Sequence, residues 1–156
     1  MTDTTARIDP SADTPSGVQV ETLIDGVALM RFPAYRDQRG VLVAFDHLQG
    51  LPFELRRVFY VLEVPAGAER AGHAVSADCV CLAAHGAFDL HFANGREQGS
   101  VRLDDPGAGL HAKGGIYLRA SSFVPGSVMV VLASANFADV HYSEHPFFYD
   151  AGDGSG

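Results

Sequence analysis

Between two glycines the chain reads Gly67-Ala68-Glu69-Arg70-Ala71-Gly72-His73-Ala74-Val75-Ser76-Ala77-Asp78-Cys79-Val80-Cys81-Leu82-Ala83-Ala84-His85-Gly86. Residues two apart on a β-strand point to the same side. His73 and Val75 therefore share a face, and Cys79 follows on the next turn. Two histidines at such a spacing, with a later carboxylate and a third histidine, would close around one metal ion. Val75 cannot ligate, and His73 with Cys79 is too few donors for a transition metal, which needs three or four. The later run His111-Ala112-Lys113-Gly114-Gly115-Ile116-Tyr117 supplies no clean second set. The stretch therefore predicts a strand pair with one inward histidine, no bound metal and no cofactor.

On either side the chain is a series of short β-type segments broken by turn signals. Val18 to Ile24 alternates, and Asp25-Gly26 makes a tight turn into Val27 to Phe32. Val41 to Phe45 follows Arg39-Gly40, and Arg57 to Val64 ends at Pro65-Ala66-Gly67. Asp78 to Ala84, Phe88 to Phe92 and Ser100 to Leu103 are separated by Gly86, Asn94-Gly95 and Asp104-Asp105-Pro106-Gly107. Gly115 to Ala120, Ser127 to Ser134 and Val140 to Tyr142 complete the set. No sustained helical period interrupts them. Many short strands at about ten-residue spacing favour an all-β sandwich or jelly roll over an α/β fold.

The chain has 156 residues, 47% of them hydrophobic and 19% charged, which is one domain's worth of foldable sequence. We expect a domain at 18–150, a polar N-terminal arm at 1–17 and a short tail at 151–156. The net charge of −8, from 11 basic and 19 acidic residues, argues against nucleic-acid binding. A local arginine cluster is still enough for a phosphorylated small molecule. No apolar run approaches the roughly 20 residues of a membrane span, and no secretory signal is visible. Cys79 and Cys81 sit too close along one strand to bridge, so a reducing, cytoplasmic setting is expected.

The Gly67–Gly86 spacing resembles the first motif of the cupins, which makes the expected architecture a cupin-type double-stranded β-helix, or jelly roll. A more specific resemblance covers most of residues 35–149. Arg39-Gly40-Val41-Leu42 with Asp46, Leu51-Pro52-Phe53, Arg57-Val58-Phe59-Tyr60, Arg70-Ala71-Gly72-His73-Ala74-Val75 and Ala138-Asp139-Val140-His141-Tyr142 are similar to the dTDP-sugar 3,4-ketoisomerases. Those are metal-free cupins acting on dTDP-4-keto-6-deoxyglucose. Val75 stands where the family has a second histidine, Phe59 where it has a tyrosine, and His141 where it has an aspartate.

The resemblance implies a metal-independent, cytoplasmic, homodimeric isomerase that takes a nucleotide-linked sugar. Moving a carbonyl to the neighbouring carbon needs a base near neutrality and a donor for the developing oxyanion. Histidine suits the first role. His73 is the expected acid/base, with Tyr60 as catalytic donor and Tyr117 or Arg57 as alternative donors. Arg57, Arg70, Tyr117 and Arg119 are the expected substrate-binding residues, because guanidinium forks suit a pyrophosphate. Two alternatives stand beside this one: a cyclase or isomerase of a less polar intermediate, and a non-catalytic small-molecule-binding cupin. Two inward arginines favour the first reading, an arginine-free apolar cavity the second, and a filled barrel the third. His85 and His91 read as turn and surface residues, Cys79 as a buried small residue, and Phe147-Phe148-Tyr149 as a core or dimer contact.

Overall fold

The computed structural model describes residues 17–46 and 50–151, so the expected arm and tail lie outside the described residues but for Gly17 and Ala151. The strands are β1 (Gln19–Ile24), β2 (Val27–Arg31), β3 (Ala34–Asp37), β4 (Gly40–Val43), β5 (Arg57–Leu62), β6 (Arg70–Val75) and β7 (Cys79–His85). They continue with β8 (Phe88–Ala93), β9 (Gln98–Leu103), β10 (Ala108–Ala112), β11 (Tyr117–Ser121), β12 (Val128–Ala133) and β13 (Tyr142–Ser143). A 3-10 turn at Phe137–Asp139 precedes β13, and a single helical turn, α1 (Phe148–Ala151), closes the described chain.

Two antiparallel sheets face each other. One runs β1-β2-β10-β7-β12-β5 and the other β13-β6-β11-β8-β9, with β3-β4 as a separate hairpin. This is the jelly-roll architecture expected from the cupin-like motif. Three strands escape a simple sequence scan. The strand β6 is legible only through the His73 motif, and β3 is four residues long. The strand β10, Ala-Gly-Leu-His-Ala, lacks β-branched residues yet sits at the centre of its sheet. Its glycine is required there: a Cβ on Gly109 would lie 2.8 Å from Val80 and 3.0 Å from Leu82 on the neighbouring strand.

Strict alternation divides the hydrophobic residues into two cores. Phe88, Leu90 and Phe92 of β8 point between the sheets and meet Val27, Leu29, Leu110, Met129 and Val131 from the other side. Val80, Leu82 and Leu132 point to the outer face of the six-stranded sheet. There Val18, Met30, Phe32 and Leu51 cover them. Each such fully buried side chain contributes about 1.5–3 kcal/mol. Phe148 of the C-terminal run packs on the inner core, while Tyr149 hydrogen-bonds to Asp25 and lies beneath Arg96.

Two polar side chains tie the framework together. Buried Asn94 accepts the backbone N–H groups of Arg96 and Glu97 and donates to the Asp25 carbonyl at 3.0 Å. It thereby joins the β8–β9 turn to the β1–β2 turn in the opposite sheet. Asp78 accepts the Gly114 N–H at 2.8 Å and faces His111, with 3.9 Å between Oδ2 and Nε2. That separation is an ion-pair distance and too long for a hydrogen bond. The His111 imidazole foremost, supported by the Gly114 N–H, holds the Asp78 carboxyl below its ordinary value, against partial burial.

Two outcomes follow for stability. Asn94→Ala removes the three hydrogen bonds by which this side chain joins the two turns and should cost about 1–3 kcal/mol in denaturant unfolding. A lowered carboxyl pKa gives stability that is present above the unfolded value and disappears as pH falls through the folded one. Asp78→Asn should therefore be less stable than the parent near neutrality, the gap narrowing as pH drops below the ordinary 3.8, read from unfolding midpoints across pH.

Candidate active site

A cavity of about 300 Å³ opens between the sheets, walled by inward residues of β5, β6, β7, β10, β11 and β12, with β13 at its rim. Its floor is apolar: Val131, Leu90, Leu118 and Ile116 among others. Its polar groups are Arg57, Arg70, His73, Lys113, Tyr142 and the Cys79 and Cys81 thiols. The cavity is neither filled nor arginine-free.

The strand β6 places the two most informative of these by an irregularity. Leu118 pairs with His73 and Arg119 with Ala71, so Gly72 is left out of the register as a bulge. Ala71 and Gly72 both hold left-handed backbone, at φ 65° and 88°. Beyond the bulge the phase is reversed. Directly paired residues share a face, and Arg70 pairs with Ala120, which points inward. His73 and Arg70, three apart, thus both reach the cavity, which an unbroken strand forbids.

Arg57 enters from β5, together with Phe59 and Val61. Its guanidinium lies 4.4 Å from the Phe59 ring centre and 5.0 Å from that of Phe137, so two aromatic faces hold it. Among the described residues no carboxylate pairs with Arg57 or Arg70, whereas Arg36, Arg56, Arg102 and Arg119 each have one. Aspartate and glutamate are absent from the described cavity wall. In an acidic protein this is a local positive field with fixed donors, and it suits an anion.

The histidine stands against an aromatic neighbour. Its ring centre is 4.7 Å from that of Tyr142, edge to face. Tyr142 pairs across the sheet with Val75. Deeper in the cavity the two thiols lie 4.0 Å apart, and the Cys79 thiol first, then burial, pushes the Cys81 thiol up. A protonated, buried thiol is a packing group and a poor nucleophile. Among the described residues no three His, Cys, Asp or Glu side chains are grouped to hold a metal ion.

Three expected site residues face elsewhere. Tyr60 lies on the opposite side of β5 from Arg57 and is 65% exposed, because one step along a strand reverses the face. Tyr117 and Arg119 lie on the outer side of β11, beside His91, and Arg119 is paired with Glu69 at 2.9 Å. His91 bonds Ser121 at 2.9 Å on that same outer face. Conversely Tyr142 and Lys113 line the cavity and were not read as site residues from the sequence. Tyr142 matches the last tyrosine of the family-like ending, but nothing local in the sequence shows that β13 returns beside β6.

Residues 25–150 match the family described as FdtA: WxcM-like, C-terminal. The chain belongs to this family. Among its relatives is a TDP-4-oxo-6-deoxy-alpha-D-glucose-3,4-oxoisomerase from Aneurinibacillus thermoaerophilus, 28% identical over 117 residues, 73% of this chain and 83% of the relative. The crystal structure of the TDP-quinovose 3,4-ketoisomerase from Campylobacter jejuni superposes with a TM-score of 0.73 at 26% identity, covering 82% of this chain and 97% of that one. A double mutant of the 3,4-ketoisomerase from Thermoanaerobacterium thermosaccharolyticum, in complex with TDP, gives 0.73 at 26% identity, covering 85% and 98%. Membership thus rests on most of the chain, including every strand that walls the cavity.

The unpaired arginines have a direct consequence. Inorganic pyrophosphate should raise the thermal midpoint of the protein, more at low than at high ionic strength. The double variant Arg57→Gln, Arg70→Gln should lose most of that shift, measured by thermal unfolding with and without the anion.

Proposed function

We propose that the chain is a 3,4-ketoisomerase of a TDP-linked 4-keto-6-deoxy sugar. The observation that carries this is the union of His73 with unpaired Arg57 and Arg70 in one cavity of a chain from the FdtA family. Its relatives include a TDP-4-oxo-6-deoxy-alpha-D-glucose-3,4-oxoisomerase and a TDP-quinovose 3,4-ketoisomerase, and one solved 3,4-ketoisomerase holds TDP.

The chemistry divides along the cavity. The arginines supply bidentate donors for the diphosphate, which anchors the nucleotide and leaves the sugar free to reach His73. His73 removes the proton on C3, which is acidic because it lies beside the C4 carbonyl. The negative charge that moves onto the C4 oxygen is stabilised by the positive field of the cavity. Reprotonation at C4, with loss of the C3 hydroxyl proton, completes the shift. The apolar floor excludes water from the enediolate. The less polar intermediate of the alternative reading has no use for two inward arginines, and a non-catalytic barrel has no use for an inward histidine beside them.

The decisive assay incubates the purified protein with TDP-4-keto-6-deoxyglucose and follows the sugar ring by proton NMR. The 3-keto isomer should form. His73→Asn should reduce the rate by about 10²–10⁴-fold, while TDP still raises the thermal midpoint of the variant. An unchanged sugar with the parent protein would overturn the proposal.

A further inference from the structure

We infer that Tyr142 is the second proton-transfer group of this site, delivering the proton to C4 that follows its removal from C3 by His73. The inference rests on the ketoisomerase reading and deepens it.

A ketoisomerase moves a proton twice, from one carbon and onto the next, and the position paired with Tyr142 is the apolar Val75. The strands that can bring a second proton mover directly beside His73 are the neighbours of β6, which are β11 and β13. On β11 the residue opposite His73 is Leu118, which has no proton to give, and Tyr117 faces outward. On β13 Tyr142 lines the cavity, with its ring centre 4.7 Å from that of His73. The other inward donors are Arg57 and Arg70, which the ketoisomerase reading assigns to the diphosphate, and Cys79, Cys81 and Lys113, carried by the facing sheet or the turn that follows it. A phenolic O–H is a proton donor and a competent acid toward an enediolate carbon.

The step balances. His73 takes the C3 proton, and the C–H electron pair becomes the C3–C4 double bond, with the C4 oxygen carrying the negative charge. The phenolic proton of Tyr142 then goes to C4, and the double-bond pair forms the new C4–H bond. The hydroxyl proton on the C3 oxygen passes to the C4 oxygen, so C3 becomes the carbonyl and C4 the alcohol. C3 is oxidised and C4 reduced by the same electron pair, and no outside oxidant enters. The phenolate left on Tyr142 recovers the proton held by the adjacent His73, which resets both groups.

The test uses the full chain, TDP-4-keto-6-deoxyglucose and deuterated water, with parent, Tyr142→Phe and His73→Asn compared. Two quantities are read: conversion to the 3-keto sugar, and deuterium gained at C3 of the recovered substrate. Tyr142 is 46% exposed, and phenylalanine keeps its ring, so the fold is retained; an unchanged TDP-induced thermal shift verifies this. Tyr142→Phe should lose conversion by at least about 100-fold yet still exchange the C3 proton, whereas His73→Asn should lose both. Conversion by Tyr142→Phe within about threefold of the parent would make the tyrosine a bystander and overturn the inference. Loss of exchange together with conversion would also overturn it, since Tyr142 would then act by holding His73. If the parent neither converts nor exchanges, the ketoisomerase reading falls and this inference with it. Conversion by the parent with a silent hydroxyl would sink the tyrosine role alone.

Discussion

The site depends on one backbone irregularity, the bulge at Ala71-Gly72. An edge-to-edge strand can present only every second residue to a cavity. A histidine and an arginine three residues apart cannot both satisfy that rule. Two successive left-handed residues absorb the extra position and reverse the alternation, so Arg70 and His73 face the same space. Glycine at position 72 takes that conformation without steric cost, and alanine at 71 accepts it at some expense. The same reversal leaves Glu69 outside, where it neutralises Arg119. One device thus gathers positive charge within and pairs it off without.

Around that strand the two sheets play different parts. The central strands of the six-stranded sheet are covered on both faces, by the inner core and by the Val18, Met30, Phe32 and Leu51 cluster, while Val58, Tyr60 and Leu62 leave the outer face of β5 exposed. The five-stranded sheet leaves polar residues such as His91, Tyr117 and Arg119 on its outer face, and its edge carries β13. Arg57 comes from the last strand of the first sheet, and His73, Arg70 and Tyr142 from the second. The cavity's arginines therefore come from both sheets, while His73 and Tyr142 stand on two adjacent strands. For the proposed proton transfer, adjacent strands of one sheet favour a fixed geometry between His73 and Tyr142, which acid–base chemistry needs more than anion binding does.

The sequence made the architecture legible where alternation and turn residues agreed, as in β5, β8 and β12. It obscured β10, whose Ala-Gly-Leu-His-Ala composition answers to close packing against Val80 and Leu82 instead of to strand propensity. His73, Arg57 and Arg70 were visible as candidates because a motif named them. Tyr60 was misplaced by a single step, since the motif carries residue types but not the face of the strand. Tyr117 and Arg119 failed for the same reason on β11.

What the amino-acid sequence determined by itself is the class of the fold, the absence of a complete ligand set for a metal in its motif, and the acidic surface against which a few arginines stand out. These follow from local composition and period-two patterning, which need no knowledge of partners. The tertiary structure decided which arginines lack a carboxylate, that Gly72 is a bulge, and that Tyr142 returns to stand beside His73 across from Val75. Those facts arise from pairing between strands roughly 45 to 67 residues apart, where register is set by the packing of both sheets and not by any neighbour in the chain.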